Sequence, residues 1–480
     1  MLMRLPAAPV RRDHIVTVVI LLVAAVVGAS IIHMRSSMVL LALGGSALMA
    51  CIALYPPLAA YSILGVTPLI AGIDRGLLIP VLRPNEALAV LAGAGLALGG
   101  ILRMRTGHVP RLTITRVDVS ILVMAVAGSA VPLAWALARS HPITQDDILY
   151  ALLIWKYYGL YLLIRVSVKT EPQVRRCLWI VMIAAAIVAV IAILEAMQLF
   201  GITHALSHHY KPYGSDQALL NSRGGSTLSL PIAVADFMIL NIALAAGFLV
   251  RGDRHKKLLS GLAILFVAGL LASGEFSGAI GLVIAAIVIV VMTRRVGLLA
   301  GMVPVAIGLG YGLRPVIQKR LQGFQSLNGL PTSWSGRLYN LKTYFWPELF
   351  SGSRYVLGVR PSARVATASM ATGWVWIESG YTWLLWAGGI PFLGSFLYFL
   401  YVNLQTSARV AKTRDDAVGV AALAVVVGLV VIGILMAIDM HLTYRGFADL
   451  LFGLLALGAS RIPAASRERA STLELAEVRA

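Results

Sequence analysis

Two polar segments interrupt this apolar chain and hold most of the side chains that could do chemistry, residues 201–228 and 314–380. Together they contain ten lysines and arginines but only three acidic residues, Asp216, Glu348 and Glu378. Guanidinium groups bind phosphate through paired hydrogen bonds, so this excess of positive charge predicts an anionic ligand such as a phosphate or pyrophosphate. The alternative interpretation is that these side chains bind lipid headgroups or remain solvated.

The same segments do not offer the residues that a metal or a nucleotide cofactor would need. Hard cations take several oxygen ligands, and three widely spaced carboxylates do not supply them. His204, His208 and His209 can share a helical turn, but no Cys or Glu lies near enough in sequence to complete a zinc site. The chain also has no P-loop, no glycine-rich dinucleotide motif and no serine elbow. We therefore expect neither a metal nor a cofactor.

Aromatic residues are concentrated in and just after the longer polar segment. Six of the nine tryptophans lie there, namely Trp334, Trp346, Trp374, Trp376, Trp383 and Trp386. Tryptophan is enriched wherever a protein crosses a membrane interface. The rings can therefore form an interfacial belt or offer apolar faces to sugar rings, and the sequence leaves both interpretations open.

The elements that must position these residues are membrane-spanning helices. Hydrophobic residues make up 59% of the 480 residues and charged residues only 13%, with a mean hydropathy of +0.84. A soluble domain carries about 25% charged residues. A net charge of +19 would indicate nucleic acid in a soluble protein. In a membrane protein the cytoplasmic loops collect Lys and Arg, so no nucleic-acid partner is expected.

The predicted fold class is an all-α polytopic membrane protein with about fourteen transmembrane helices, because that many apolar windows approach the length that spans a bilayer. The windows lie near 15–32, 37–54, 57–73, 85–102, 118–138, 148–167, 177–200, 229–250, 258–274, 277–293, 296–313, 381–403, 418–438 and 443–460. If the N-terminus is cytoplasmic and every window crosses, more than half of the basic residues fall on the cytoplasmic side, as the positive-inside rule requires. Both termini are then cytoplasmic, and both polar segments face the extracytoplasmic side.

This topology divides the chain into four parts. Residues 1–313 form helices 1–11 with the short extracytoplasmic loop 201–228, and residues 314–380 form a large, partly helical extracytoplasmic loop. Residues 381–460 form helices 12–14, and residues 461–480 form a cytoplasmic tail. Within the large loop, apolar residues at spacings of three and four predict an amphipathic helix on the membrane surface that kinks or ends near Pro347. Those residues are Leu338, Leu341, Phe345 and Leu349.

A second pattern combines particular residues of these segments. Gly336-Arg337 opens a Trp-containing helix, Gly358 lies in a turn, Glu378 stands three residues before Tyr381, and Gly389-Ile390 follows eleven residues after Glu378. Upstream, Arg83 opens one helix and Arg223 precedes another that starts near Pro231. This pattern resembles the bacterial O-antigen ligase and O-antigen polymerase superfamily, membrane glycosyltransferases of the GT-C type. Its specific motifs cover residues 221–231 and 335–395.

The chain departs from the superfamily pattern at three places. Arg360 replaces the second glycine of a Gly-x-Gly turn, and Glu275 stands close to where many members have an arginine. Ligases typically have a histidine at the position of Glu378, so an acidic residue there is more similar to polymerase-type members.

The resemblance implies metal-independent, inverting transfer of a glycan from a polyprenyl pyrophosphate donor to a glycan or glycolipid acceptor. The reaction would take place at the extracytoplasmic face of the bacterial cytoplasmic membrane, among membrane lipids. Arg223 and Arg337 would stabilise the leaving pyrophosphate, and Glu378 would be the general base. The alternative for Glu378 is a structural ion pair with a loop arginine. Further expected substrate-binding residues are Arg360, Lys211, Tyr381, Trp376 and Arg83.

Charged residues inside the helices leave a rival function open. Glu195 and Asp236 are expected to pair with Lys156 or a loop arginine, and Asp439, His441 and Arg445 to form a local polar cluster. A secondary transporter or a flippase of lipid-linked glycans would also need buried charges. Transporters are usually built from repeated halves, however, and no internal repeat is evident in this chain.

Overall fold

The computed structural model describes residues 36–79, 82–104, 113–210, 223–295, 297–314, 317–318, 332–368 and 373–459. The predicted first helix near 15–32, Lys211 and the predicted tail 461–480 lie outside the described residues.

The described part of the chain is mainly helical. Its helices are α1 (Ser36–Leu54), α2 (Pro57–Ile70), α3 (Pro84–Met104), α4 (Arg116–Ala127), α5 (Ala130–Ala138), α6 (Gln145–Ala151), α7 (Leu153–Ser167), α8 (Glu171–Ala196), α9 (Ile202–Ser207), α10 (Pro231–Val250), α11 (Lys256–Ala272), α12 (Phe276–Thr293), α13 (Gly297–Gly312), α14 (Thr332–Asn340), α15 (Trp346–Phe350), α16 (Gly380–Thr413), α17 (Ala417–Leu435) and α18 (Phe447–Gly458). A single antiparallel hairpin joins β1 (Arg364–Ala366) to β2 (Trp374–Trp376).

Eight of the described helical segments are long and apolar enough to cross a membrane. They are α3, α4 with α5, α6 with α7, α8, α10, α12, α16 and α17. Three shorter apolar helices, Leu43–Leu54, Pro57–Ile70 and Phe447–Gly458, accompany them. The chain is therefore a helical membrane protein. The described helices overlap every predicted window from 37–54 onward, but the total of fourteen spans stays a prediction.

Helices α10 and α17 form the centre of the bundle. In α10, 94% of the most apolar 18-residue window is buried inside the protein, and in α17 the share is 83%. Small residues let their neighbours approach closely, since a Cβ on Gly428 would lie 2.7 Å from a methyl carbon of Leu240. A polar side chain on α10 is consequently shielded from both lipid and water.

At one end of the bundle, which we call the site end, hydrogen bonds link the termini of different helices. The Gly72 amide after α2 donates to the Thr227 carbonyl before α10 (2.9 Å). The Gly380 amide at the start of α16 donates to the Met436 carbonyl at the end of α17 (2.7 Å). These bonds satisfy backbone groups that helix termini leave unpaired.

Salt bridges join helix termini at the opposite end. Arg165 near the end of α7 pairs with Asp118 in the first turn of α4, and Arg175 in the first turns of α8 pairs with Asp253 after α10. Asp118 also completes a capping box with Thr115, so one carboxylate both starts α4 and binds α7. The two ends of the bundle thus have separate sets of charged residues.

The described part of the large loop begins with a helix that breaks in the middle. Helices α14 and α15 flank a wider π-helical turn over Leu341–Phe345, immediately before Pro347. Leu341, Phe345 and Leu349 are buried, whereas Leu338 is 40% exposed. Helices therefore occupy the predicted segment, with the irregular turn next to Pro347, while the position of this segment on the membrane surface stays a prediction. Its apolar face packs on the protein, and the Trp346 ring N–H donates to the Thr382 hydroxyl of α16 (3.3 Å).

Helix α16 is interrupted where the rest of the loop docks against it. Gly389 has φ +64° and ψ −156°, so the helical path breaks there. The Ile390 amide donates to the Val356 carbonyl (3.0 Å), and the Val359 amide donates to the Trp386 carbonyl (2.7 Å). Backbone contact this close leaves no room for a side chain at Gly358 or Gly389, whose Cβ would lie 2.9 Å and 2.3 Å from carbonyl oxygens.

Candidate functional site

Arg337 lies at the centre of a small group of charges at the site end, which we call the arginine–carboxylate cluster. Its Nη2 is 2.8 Å from an Asp439 carboxylate oxygen, and its Nε is 3.6 Å from Glu378 Oε1. Asn340, one turn further along α14, donates from its amide to Glu378 (3.3 Å). The Tyr444 hydroxyl donates to the second Asp439 oxygen. The cluster therefore joins the large loop, the start of α16 and the segment between α17 and α18.

The two carboxylates of this cluster differ in their contact with solvent. The Glu378 side chain is 32% exposed and that of Asp439 only 6%. Burial raises the pKa of Glu378 and nearby Asp439 raises it further, while Arg337 and Asn340 oppose the shift. Burial disfavours the charge of Arg337, but Asp439 and Glu378 raise its pKa above the usual value. Glu378 is thus an accessible carboxylate with raised proton affinity, held beside a permanent cation.

Arg223 forms the neighbouring ion pair. Its Nη1 is 2.9 Å from a Glu275 oxygen at the start of α12. Glu275 also contributes to the electrostatic environment of Arg337. Glu275 therefore links the predicted catalytic residue Arg223 by an ion pair, and Arg337 by electrostatic interaction, to the same region of the site end.

A pocket of about 520 Å³ lies at the site end beside this cluster, and we call it the basic pocket. Five cationic side chains line it, together with two carboxylates and apolar residues. The cations are Arg75, Arg83, Lys156, Arg364 and Arg445, and the carboxylates are Glu86 and Asp146. Trp376, Met440 and Tyr444 complete the wall on the side of the cluster.

Arg83 is the most unusual cation of the basic pocket. Its Nε atom is buried and has no hydrogen-bond partner within the described part of the chain. Burial, followed by the nearby charges of Arg445 and Arg75, lowers the pKa of Arg83 to about 10. The other four cations are each close to a carboxylate: Arg75 to Glu86, Lys156 to Asp449, Arg364 to Asp146 and Arg445 to Asp74. An anion bound in the pocket would relieve the repulsion around Arg83.

The basic pocket and the arginine–carboxylate cluster adjoin each other along the chain. Trp376 lines the pocket two residues before Glu378, and Met440 lines it one residue after Asp439. Tyr444 belongs to both, since it lines the pocket and binds Asp439. A ligand with its anionic part in the pocket could therefore extend toward the Glu378 carboxylate.

Only some of the predicted substrate-binding residues line the basic pocket. Arg83 and Trp376 line the basic pocket. Arg360 instead makes two hydrogen bonds to Asp147, of 3.0 and 2.7 Å, and a third to Thr144, which ties the large loop to the start of α6. The Tyr381 hydroxyl donates to the Gly433 carbonyl of α17. Lys211 lies outside the described residues.

The predicted partners of the charges in the helices are wrong. Asp236 on α10 pairs with His441 at 2.7 Å, and each side chain is only 1% exposed. Glu195 accepts a hydrogen bond from the Ser226 amide (2.6 Å), and Lys156 pairs with Asp449. Each of these carboxylates has its partner on another part of the chain, which the order of charges along the chain does not reveal.

The predicted local cluster of Asp439, His441 and Arg445 forms only in part. The His441 amide donates to the Asp439 carbonyl (3.0 Å), and Asp439 contributes to raising the pKa of His441, but the main ion pair of each side chain lies elsewhere. Asp439 contacts Arg337, His441 contacts Asp236, and Arg445 is 3.6 Å from Asp74. Three neighbouring residues therefore reach three other elements, so that the segment between α17 and α18 connects the large loop, α10 and the segment after α2.

Sequence reasoning missed four of the five cations of the basic pocket. From the sequence, Arg75 is only a charge in a short outside turn, Arg364 only a loop arginine, and Lys156 and Arg445 only polar residues of helices. One signal was available in the sequence: the positive-inside rule does not favour basic residues at the predicted locations of these four side chains.

No protein-family model, no curated protein and no solved structure matches this chain. Within the described residues, no group of three or more His, Cys, Asp or Glu side chains is arranged to hold a metal ion. Fold and site together define the class as a helical membrane protein with a basic pocket beside an arginine–carboxylate cluster.

Proposed function

We propose that the chain is a membrane glycosyltransferase that joins a polyprenyl-pyrophosphate-linked glycan to an acceptor sugar. The observation that carries this proposal is the basic pocket, lined by five cations, directly beside the accessible carboxylate of Glu378. Transfer from a donor with an anionic leaving group needs fixed positive charge at the leaving group and a base beside the attacking hydroxyl. The resemblance to the O-antigen ligase and polymerase superfamily supports the same activity.

In the proposed reaction, a hydroxyl oxygen of the acceptor attacks the anomeric carbon of the donor glycan. The bond between that carbon and the pyrophosphate oxygen breaks, and the configuration inverts. Glu378 accepts the hydroxyl proton, and the polyprenyl pyrophosphate leaves with the bonding electron pair. No other reactant is required, because the lipid-linked donor is already activated.

The leaving pyrophosphate gains negative charge as the bond breaks, and the basic pocket supplies the compensating cations. Arg83, with its buried and unpartnered Nε, is the first choice for a direct contact. Arg337 has two roles in the proposed reaction: it holds Glu378 in place, and it adds positive charge beside the reacting carbon. Arg223 supports this region through Glu275.

For the location, we propose the cytoplasmic membrane of a bacterium with the site end extracytoplasmic. This orientation follows from the positive-inside rule applied to the whole sequence, which places both termini in the cytoplasm. An acidic residue at position 378 favours a polymerase over a ligase.

The proposal is tested by removing the chain's gene from its own bacterium and restoring it as wild type, Arg83→Ala or Glu378→Gln. We expect the lipid-linked donor to accumulate and the longer glycan to disappear in both variants, while wild type restores the product. Arg295→Ala is the matched control, because this exposed arginine follows α12 at the opposite end. Normal product from both site variants would refute the assignment.

The same strains distinguish catalysis from transport of the lipid-linked glycan. If the chain transfers glycans, the accumulated donor lies on the extracytoplasmic face and is accessible to an added lectin or glycosidase in spheroplasts. If it is a flippase, the donor stays on the cytoplasmic face and is protected.

A further inference from the structure

The hairpin β1–β2 separates an anchored face from an exposed one. Side chains alternate between the two faces of a strand. Val375 is buried, and Ile377 immediately after β2 is fully buried, so this side of the hairpin holds it on the protein. Arg364 pairs with Trp376 and Ala366 with Trp374 in the hairpin register, which puts these four residues on the other face. There, Trp374 is 40% exposed.

The Arg364 guanidinium joins the two rings of the exposed face into one surface. Its central carbon lies 4.6 Å from the ring centre of Trp374 and 5.4 Å from that of Trp376. The guanidinium is held in orientation by Asp146, with Nη2 2.7 Å from Oδ1, and Ser362 donates to the same carboxylate (2.9 Å). Ion pairing and stacking together restrict the rotamers of a normally flexible side chain.

This surface continues into the basic pocket. Arg364, Asp146 and Trp376 all line the pocket, and Trp374 extends the surface along β2. Glu378 follows Trp376 by two residues. The surface therefore borders both the site that would bind the pyrophosphate and the carboxylate that would act on the anomeric carbon.

We propose that Trp374, Trp376, Arg364 and Asp146 form the subsite for the donor sugar ring next to the pyrophosphate. A pyranose ring has an apolar face of C–H groups that packs on an aromatic ring, and its edge carries hydroxyls that hydrogen-bond to charged planar groups. The subsite offers both features side by side. This inference rests on the proposed function, because it places the sugar by the position of the pyrophosphate.

The test measures binding and requires no turnover. Purified full-length protein in lipid nanodiscs is titrated with farnesyl diphosphate and with farnesyl diphosphates carrying glucose, galactose or N-acetylglucosamine. We expect wild type to bind at least one glycosylated probe about tenfold more tightly than farnesyl diphosphate. Trp374→Ala, at a ring outside the lining of the basic pocket, should lose most of this gain while binding farnesyl diphosphate as wild type does. Trp376→Ala should also lose most of the gain.

Phe200→Ala is the matched control for a general effect of interfacial aromatics, since Phe200 follows α8 at the site end and is 89% exposed. It should keep the full gain. The subsite is refuted if the sugar adds no affinity in wild type, if the gain survives both tryptophan changes, or if Phe200→Ala abolishes it equally. If wild type binds none of the probes, farnesyl diphosphate included, the proposed function itself fails.

Discussion

Glu378 occupies surroundings that fit a general base and also an ion pair. Its carboxylate receives one hydrogen bond from Asn340 and lies 3.6 Å from Arg337, yet about a third of the side chain stays exposed. A purely structural partner for Arg337 already exists, because buried Asp439 is closer at 2.8 Å. The second, more exposed carboxylate is therefore the one available to an acceptor hydroxyl.

The first prediction concerns this carboxylate. Glu378→Gln keeps the shape of the side chain but cannot accept the proton, so the transfer rate should fall by about 10²- to 10⁴-fold. Only the ionised form is active, and because the pKa of Glu378 is raised, the wild-type rate should decline with falling pH at a pH above the ordinary glutamate pKa of about 4.3. Transfer rates measured from pH 4 to 8 check both points. A flat acidic limb, or a variant with near-normal rate, would remove Glu378 from this role.

Arg360 lies in the large loop near the site but has a structural function. All three of its hydrogen bonds go to the start of α6, and its carboxylate partner Asp147 also completes a capping box with Thr144. Arg364, four residues later, contacts the neighbouring Asp146 and faces the basic pocket.

The second prediction separates these two arginines. Arg360→Ala leaves a largely buried carboxylate without its partner and should destabilise the protein by about 3 kcal/mol or more, but leave pyrophosphate binding unchanged. Arg364→Ala should weaken binding of farnesyl diphosphate several-fold with a smaller loss of stability. Thermal unfolding in detergent and ligand titration of both variants provide the comparison. If Arg360→Ala weakened binding of farnesyl diphosphate and Arg364→Ala mainly lowered stability, Arg360 would belong to the ligand-binding site instead.

At the scale of elements, the break in α16 determines where the large loop docks. The backbone of the loop around Gly358 contacts the backbone of α16 around Gly389 there, without intervening side chains. Both have positive φ, so any other residue would be strained in addition to clashing. The docking brings residues 354–360 against α16 only a few turns from Glu378.

The third prediction is that Gly389→Ala undocks this part of the loop. The new Cβ would meet the Val356 carbonyl oxygen at 2.3 Å, and we expect a loss of several kcal/mol together with loss of transfer activity. Gly394→Ala is the control, since it lies in the same helix and its new Cβ would have no neighbouring atom within 4 Å. Thermal unfolding and limited proteolysis of the loop distinguish the two. Equal behaviour of both variants would contradict the docking.

The segment between α17 and α18 is the second element that organises the site. It is fixed to the buried centre of the bundle by His441 and Asp236, although His441 Nε2 and Asp236 Oδ1 have no hydrogen-bond partner within the described residues. Burial opposes protonation of His441, but Asp236 raises its pKa above the ordinary value. Asp439 and Arg445 on either side then face the cluster and the basic pocket.

At the scale of the whole molecule, the two ends of the bundle have different chemistry. The opposite end is joined by salt bridges between helix termini, whereas the site end combines the large loop, the basic pocket and the arginine–carboxylate cluster. In the proposed function, the basic pocket at the site end receives the charged headgroup of the lipid-linked donor.

The fourth prediction concerns orientation. In cysteine variants, a membrane-impermeant maleimide added to intact spheroplasts should label Phe200→Cys and Phe350→Cys at the site end but not Arg295→Cys at the opposite end. These residues are chosen because all three are exposed. Each is introduced after Cys51 and Cys177 have been replaced by alanine. Labelling of Arg295→Cys alone would place the site end in the cytoplasm, away from the proposed donor.

The amino-acid sequence was sufficient for features that depend on composition and local spacing. Long apolar windows with few charges require helices in lipid, because only helices satisfy their own backbone groups there. The spacing of Leu341, Phe345 and Leu349 predicted the helix in the large loop. Each of these inferences needs only residues within a few turns of one another.

The tertiary structure alone decided which charges meet. Arg360 and Asp147 are 213 residues apart, and Asp236 and His441 are separated by 205, so their pairing follows from the packing of α10, α17 and the loops. The basic pocket likewise combines residues from five separate parts of the chain. Electrostatic attraction acts between any opposite charges within reach, and only the folded bundle determines which ones are within reach.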